Sequence, residues 1–150
     1  MARGFLHLGI LVLLLLASPL RADDKQALRE DAIELLDVGP FPLDVIGSCK
    51  GYLAVDGRLV KAILDWNQRN RAVLDKVVQV IRWTGGISDK DMGALRARGN
   101  LRAHEAVAGQ TDKAAYCNDI VDQIDAGRLD LDRNSTTAPA ANRVLAAKLE

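Results

Sequence analysis

From Arg58 to Trp83 the chain runs 26 residues without a glycine or a proline. Two rows of residues thread this stretch with alternating steps of four and three. One is Leu59, Ile63, Trp66, Asn70, Val73, Val77 and Val80; the other is Val60, Leu64, Asn67, Arg71, Leu74, Val78 and Ile81. Spacing of this kind puts each row on one side of an α-helix, where it can face neighbouring helices. The β-branched run Val77–Ile81 is suited to a strand by composition, but its period is helical. Both rows turn polar at the same level, in Asn67-Gln68-Arg69-Asn70-Arg71. That band is either a turn between two helices or a polar layer within one. With no breaker present, one central helix over about 57–83, roughly 40 Å long, is expected.

The rest of the chain punctuates itself into further helices. Asp23-Asp24 begins a segment to about Asp37, with Leu28, Ala32, Leu35 and Leu36 on one face. Gly39-Pro40-Phe41-Pro42 ends it. Val45, Ile46, Cys49, Tyr52 and Leu53 resume a helical pattern, and Gly47 and Gly51 share a face that would admit a close backbone. After Gly85-Gly86, Ser88 heads a near capping box with Asp91, opening a helix to about Ala108 that turns Met92, Leu95, Leu101 and Val107 inward. Thr111 is expected to cap the next helix, with Ala114, Ile120, Val121 and Ile124 buried and Gly127 closing it. Residues 128–139 read as a polar connection, and Ala140–Leu149 as a short last helix. The fold expected is all-α, a bundle of five or six helices in a single domain over residues 23–150.

Residues 1–22 have the form of a secretory signal: Arg3, an apolar run from Phe5 to Ala17, then a break ending at Ala22. An uncleaved anchor is the alternative, but a run of 13 residues, with only His7 polar, reaches only about 20 Å, short of the ~30 Å hydrocarbon core. Cleavage would leave no stable membrane anchor and a periplasmic or secreted protein. It would lower Lys plus Arg from 20 to 18 against 20 Asp plus Glu, a net charge of −2. A chain without basic excess is unsuited to general nucleic-acid binding. In an exported chain the two cysteines, Cys49 and Cys117, are expected to form a disulfide closing a loop of about 69 residues.

Catalytic and cofactor chemistry finds little material. Beyond residue 22 there are one histidine and two cysteines, fewer than a four-ligand zinc site takes. No Cys-x-x-Cys-His occurs, and a Met92–His104 haem pair would require the helix to break at Gly99. No cofactor is expected. Asp130, Asp132 and Asn134 have the spacing of the first three ligands of a calcium loop, but Ser135 stands at the turn glycine and Ala141 at the bidentate glutamate. Asn134-Ser135-Thr136 is also a glycosylation sequon. Arg98 and Arg102 share a helix face that could hold an anion or pair with nearby acids, and His104 could act as a base only beside a nucleophile and an orienting acid. Paired acids such as Asp89 and Asp91, or Asp130 and Asp132, are candidates for glycoside cleavage only if they face each other across a cleft.

The candidate binding residues are therefore Trp66, Asn67, Asn70 and Arg71 in the polar band, with Arg98, Arg102 and His104. The function expected is non-catalytic binding of an envelope protein or small ligand. An exported inhibitor or immunity-type protein, and a small envelope hydrolase using His104 or a carboxylate pair, are the alternatives.

Overall fold

The 26-residue stretch without a breaker forms one unbroken helix in the computed structural model, which describes residues 22–54 and 57–149. The expected signal segment lies outside the described residues. The described residues form six helices in order: α1 Ala22–Val38, α2 Phe41–Ser48, α3 Gly57–Trp83, α4 Asp89–Ala108, α5 Lys113–Asp125 and α6 Ala138–Ala146. Among the described residues there is no strand, and the all-α bundle is as expected. No described helix is long and apolar enough to cross a membrane.

Helix α3 packs against α1, α5 and α6, while α2 and α4 pack on each other; α1 and α5 touch members of both groups. The first row of α3 supplies most of this core, joined at its end by Ile81 of the second. Leu59, Trp66, Asn70, Val73, Val77 and Val80 are buried, with Ala62 beside them. The second row was expected to pack as well, and the structure corrects this: Val60, Leu64 and Val78 are exposed, at 48%, 62% and 44%. The two rows lie about a quarter-turn apart on the helix, and its neighbours cover the second only at Leu74 and Ile81.

Helix α4 shows a similar correction. Leu101 is exposed, and the inward row is Leu95, Gly99, Ala103 and Val107. Small residues allow close approach here, since a Cβ on Gly99 would lie 2.9 Å from Oδ2 of Asp44. Gly47 and Gly51, expected to serve that purpose in α2, have nothing near them, because α2 ends at Ser48 and Tyr52 is exposed beyond it. Ser88 caps α4 by accepting from the Asp91 amide, as expected. Asp112, not Thr111, caps α5, accepting from the Ala115 amide.

Long-range clamps fix the helices around α1. Arg143 of α6 donates Nε and Nη2 to the two carboxylate oxygens of buried Asp31, at 2.7 and 2.6 Å. Arg29 donates to the carbonyl of Gly86 at 2.8 Å and to that of Thr84 at 3.3 Å, just past the C-terminus of α3 where cations are favoured. Lys25 stands over the Trp83 ring.

Cys49, at the end of α2, is bonded to Cys117 of α5, and both are fully buried. By chain entropy, closing a loop of this length stabilises the fold by about 4 kcal/mol. Replacing both cysteines by alanine should therefore lower unfolding stability by about 4 kcal/mol. Denaturant titration checks this, and an unchanged midpoint would contradict it.

Candidate functional site

The polar band of α3 divides by helical geometry. At 100° per residue, Trp66 and Asn70 point to the core while Asn67 and Arg71 point away. The inner group is a docking device for the segment after α5. Trp66 Nε1 donates to the Leu129 carbonyl at 2.9 Å. Asn70 Nδ2 donates to the Trp66 carbonyl at 2.8 Å and to Oδ1 of Asp130 at 3.3 Å, and Asn70 Oδ1 accepts from the Leu131 amide at 2.6 Å. Arg69 completes the layer, with Nε 2.7 Å from Oδ2 of Asp130 and Nη2 donating to the Ile124 carbonyl at 2.6 Å. The hydrogen bond to Asp130 raises the Arg69 pKa against the opposing effect of burial. No buried side-chain nitrogen or oxygen among the described residues lacks a partner.

This network sharpens the reading of residues 128–139. Residues 128–139 are not a solvated connection: Asp130, Leu131 and Thr137 are buried, and Thr137 Oγ1 donates to the Leu131 carbonyl at 2.8 Å. Nor do Asp130, Asp132 and Asn134 converge as a calcium loop. Both Asp130 oxygens face Arg69 and Asn70, Asp132 is exposed, and Asn134 Oδ1 accepts from the Thr136 amide. Among the described residues, no group of three or more His, Cys, Asp or Glu could hold a metal ion. Gly127 makes the turn into the segment with φ +68°, and its αL cap carries the Arg128 amide to the Gln123 carbonyl at 2.9 Å. A Cβ there would stand 3.0 Å from Asp130 Oδ2.

The outer residues are held only loosely. Asn67 Nδ2 donates to the Ile63 carbonyl of its own helix, and exposed Arg71 lies 3.6 Å from Asp75. The structure thus separates Trp66 and Asn70 from Asn67 and Arg71 rather than gathering the four into one pocket.

On α4, Arg98 and Arg102 do share a face, and the acid that meets them is Asp37 at the end of α1. Arg102 Nη2 donates to the Asp37 carbonyl at 2.5 Å and to its Oδ1 at 3.2 Å; Arg98 stands 3.6 Å from the same oxygen. Helix α4 runs unbroken through Gly99, so Met92 and His104 are about 18 Å apart along it. His104 is exposed.

Concavities formed by the described residues include two that bear on function. The smaller, about 290 Å³, lies between α1, α2 and α4, where Asp44 and Asp37 face Leu36, Leu95 and Asn100. Burial lifts the Asp44 carboxyl above its ordinary 3.8, with Arg102 opposing. The larger, about 530 Å³ and open, is walled by Gln123, Gly127, Arg128, Arg133, Asn134 and Ser135. Arg128 and Arg133 are exposed there, and among the described residues neither guanidinium has a hydrogen-bond or ion-pair partner. His104 lines neither concavity. Sequence reasoning missed Arg69, Arg128 and Arg133. The available signal was that the Asp130–Asn134 motif has one arginine two residues before it and another within it, and follows a helix-closing glycine.

No family model, curated protein or solved structure matches the chain.

Two outcomes follow from this geometry. Arg69→Met strands the buried Asp130 carboxylate and should lower stability by about 2 kcal/mol. Arg71→Met, which in the single chain removes only an exposed pair, should leave the denaturation midpoint unchanged when measured too dilute for two chains to associate; equal effects of the two would refute the distinction.

Asp44 supplies a pH-dependent outcome. Between 3.8 and its raised folded value, the folded chain keeps a proton that the unfolded chain has released. Its contribution to stability therefore falls as pH rises through that window and stays at the lower level above it. Asp44→Asn should be more stable than the parent at neutral pH, with the advantage vanishing as pH drops below 3.8. Paired melts across that range test this, and a pH-independent difference would contradict it.

Proposed function

We propose that this protein is an exported, non-catalytic binding protein of the cell envelope, and that it takes an anionic group of a partner protein or small ligand between Arg128 and Arg133. The observation that carries the reading is the pair of guanidiniums without partners on the wall of the 530 Å³ concavity. Arginine presents a planar fork of donors that matches carboxylate or phosphate oxygens, and a pair of them gives both charge and direction. The other arginines singled out, Arg98 and Arg102, already face Asp37.

Beneath the concavity, the Asp130 layer ties the segment to α3, so the two arginines stand on backbone that the core holds in place. A site supported this way loses little freedom on binding. Gln123, Asn134 and Ser135 add polar groups around the rim. Export is supported by the signal-like pattern of residues 1–22 and by the buried Cys49–Cys117 bond, a linkage that persists in oxidising compartments.

Co-purification from the native envelope fraction tests the binding reading. The parent chain should retain an envelope component that an Arg128→Glu, Arg133→Glu double variant releases at least ten-fold more readily, while the two proteins melt at the same temperature. Equal retention by both would overturn the reading. Intact mass of the exported protein should correspond to a chain starting at Asp23 with no free thiol.

A further inference from the structure

We infer that the outer row of α3 is a self-pairing seam, whose occupant is the α3 helix of a second copy of this chain running antiparallel to the first. Short of Ile81, which is buried in the core, the row consists of Val60, Leu64, Asn67, Arg71, Leu74 and Val78, with steps of four, three, four, three and four. Alternation of this kind is the a/d spacing of a two-helix coiled coil. Val60, Leu64 and Val78 are among the large apolar side chains left exposed, and Leu74 is half-buried at the edge of the core. The seam runs about 27 Å along the helix.

The sequence of the seam decides the partner. Read in either direction it is valine, leucine, polar, polar, leucine, valine. In an antiparallel pair, a positions of one helix meet d positions of the other. Val60 then meets Val78 of the second copy, Leu64 meets Leu74, and Asn67 meets Arg71, every layer centred on the level of residue 69. A two-fold axis at that level generates all six layers from three, which is the self-complementarity required of an isologous interface. An unrelated partner helix would have no reason to impose this symmetry on the row.

The polar layers fit the same arrangement. Asn67 uses its Nδ2 on the Ile63 carbonyl, which leaves Oδ1 as an acceptor for the guanidinium of the opposing Arg71. A polar layer within an apolar seam fixes register and orientation, because any shift would bury these groups against valine or leucine. The flanking residues on the solvent side of the seam are Lys61, Gln68, Asp75 and Arg82. Across the same two-fold, Lys61 comes to nearly the height of the second copy's Asp75, twice over by symmetry. In one chain these groups pair only with Asp65 and Arg71 on their own helix, and such exposed pairs exchange readily.

Sedimentation equilibrium on the full chain, expressed with its own first 22 residues and purified after export, tests the inference. The parent should have the mass of two chains at tens of micromolar. Leu64→Glu should weaken association at least ten-fold while, in melts too dilute for two chains to associate, leaving the melting temperature in place, since Leu64 is 62% exposed. Lys61→Asp alone and Asp75→Lys alone should each weaken it, and the two together should restore it. A parent that stays at the mass of one chain would overturn the inference. So would a dimer indifferent to Leu64→Glu, and so would a double charge exchange that fails to restore association, because the antiparallel register requires that rescue.

Discussion

The structure depends on one buried polar layer. Asn70 is 1% exposed in the middle of the longest helix, and Asp130 is 2% exposed in the segment that follows α5. Neither residue is tolerable in a helical core by itself, since an unpaired carboxamide or carboxylate there is strongly disfavoured. Together with Arg69 and the Leu131 amide they satisfy each other. The consequence is positional. A segment with little regular structure is locked to α3 at one register, and α6 follows from it to meet α1. Specificity of this sort is what a satisfied polar network contributes beyond stability.

Distribution of the arginines carries the account from fold to function. Arg69, Arg102 and Arg143 each close a contact between distant parts of the chain, with Asp130, Asp37 and Asp31 respectively. Arg29 closes another by capping the end of α3. Arg128 and Arg133 stand apart from this pattern, next to the locked segment but outside its network. Their proximity to Asp130 follows from the same Gly127 turn: the αL cap directs Arg128 outward while the carboxylate two residues later turns in.

The helix order and the disulfide were legible because each rests on local pattern. Glycine and proline positions mark the ends, a 3.6-residue period marks the faces, and an even cysteine pair marks the staple. The polar band at 67–71 was also legible as a place of consequence. What could not be read locally was its partner, because Asn70 and Asp130 are 60 residues apart. Periodicity likewise gave α3 two equivalent rows, and only the arrangement of α1, α5 and α6 chooses between them. In α4 Leu95 and Val107 were legible as inward, but Gly99 and Ala103 were not because they are small, whereas Leu101 is large and points out. The role of Asp130 was hidden for a related reason: acids at alternate positions resemble the start of a cation loop until the arginine that neutralises one of them is placed.

The account turns on whether the Asn70–Leu131 contact holds the 128–137 segment as part of the core. Amide hydrogen exchange at Leu131 measures this most directly, because that N–H donates to Asn70 Oδ1 at 2.6 Å. A segment locked to α3 predicts that the Leu131 amide exchanges as slowly as those of Val73 and Val77, through global opening, while the amide of exposed Ser135 exchanges fast. Exchange at Leu131 as rapid as at Ser135 would contradict it.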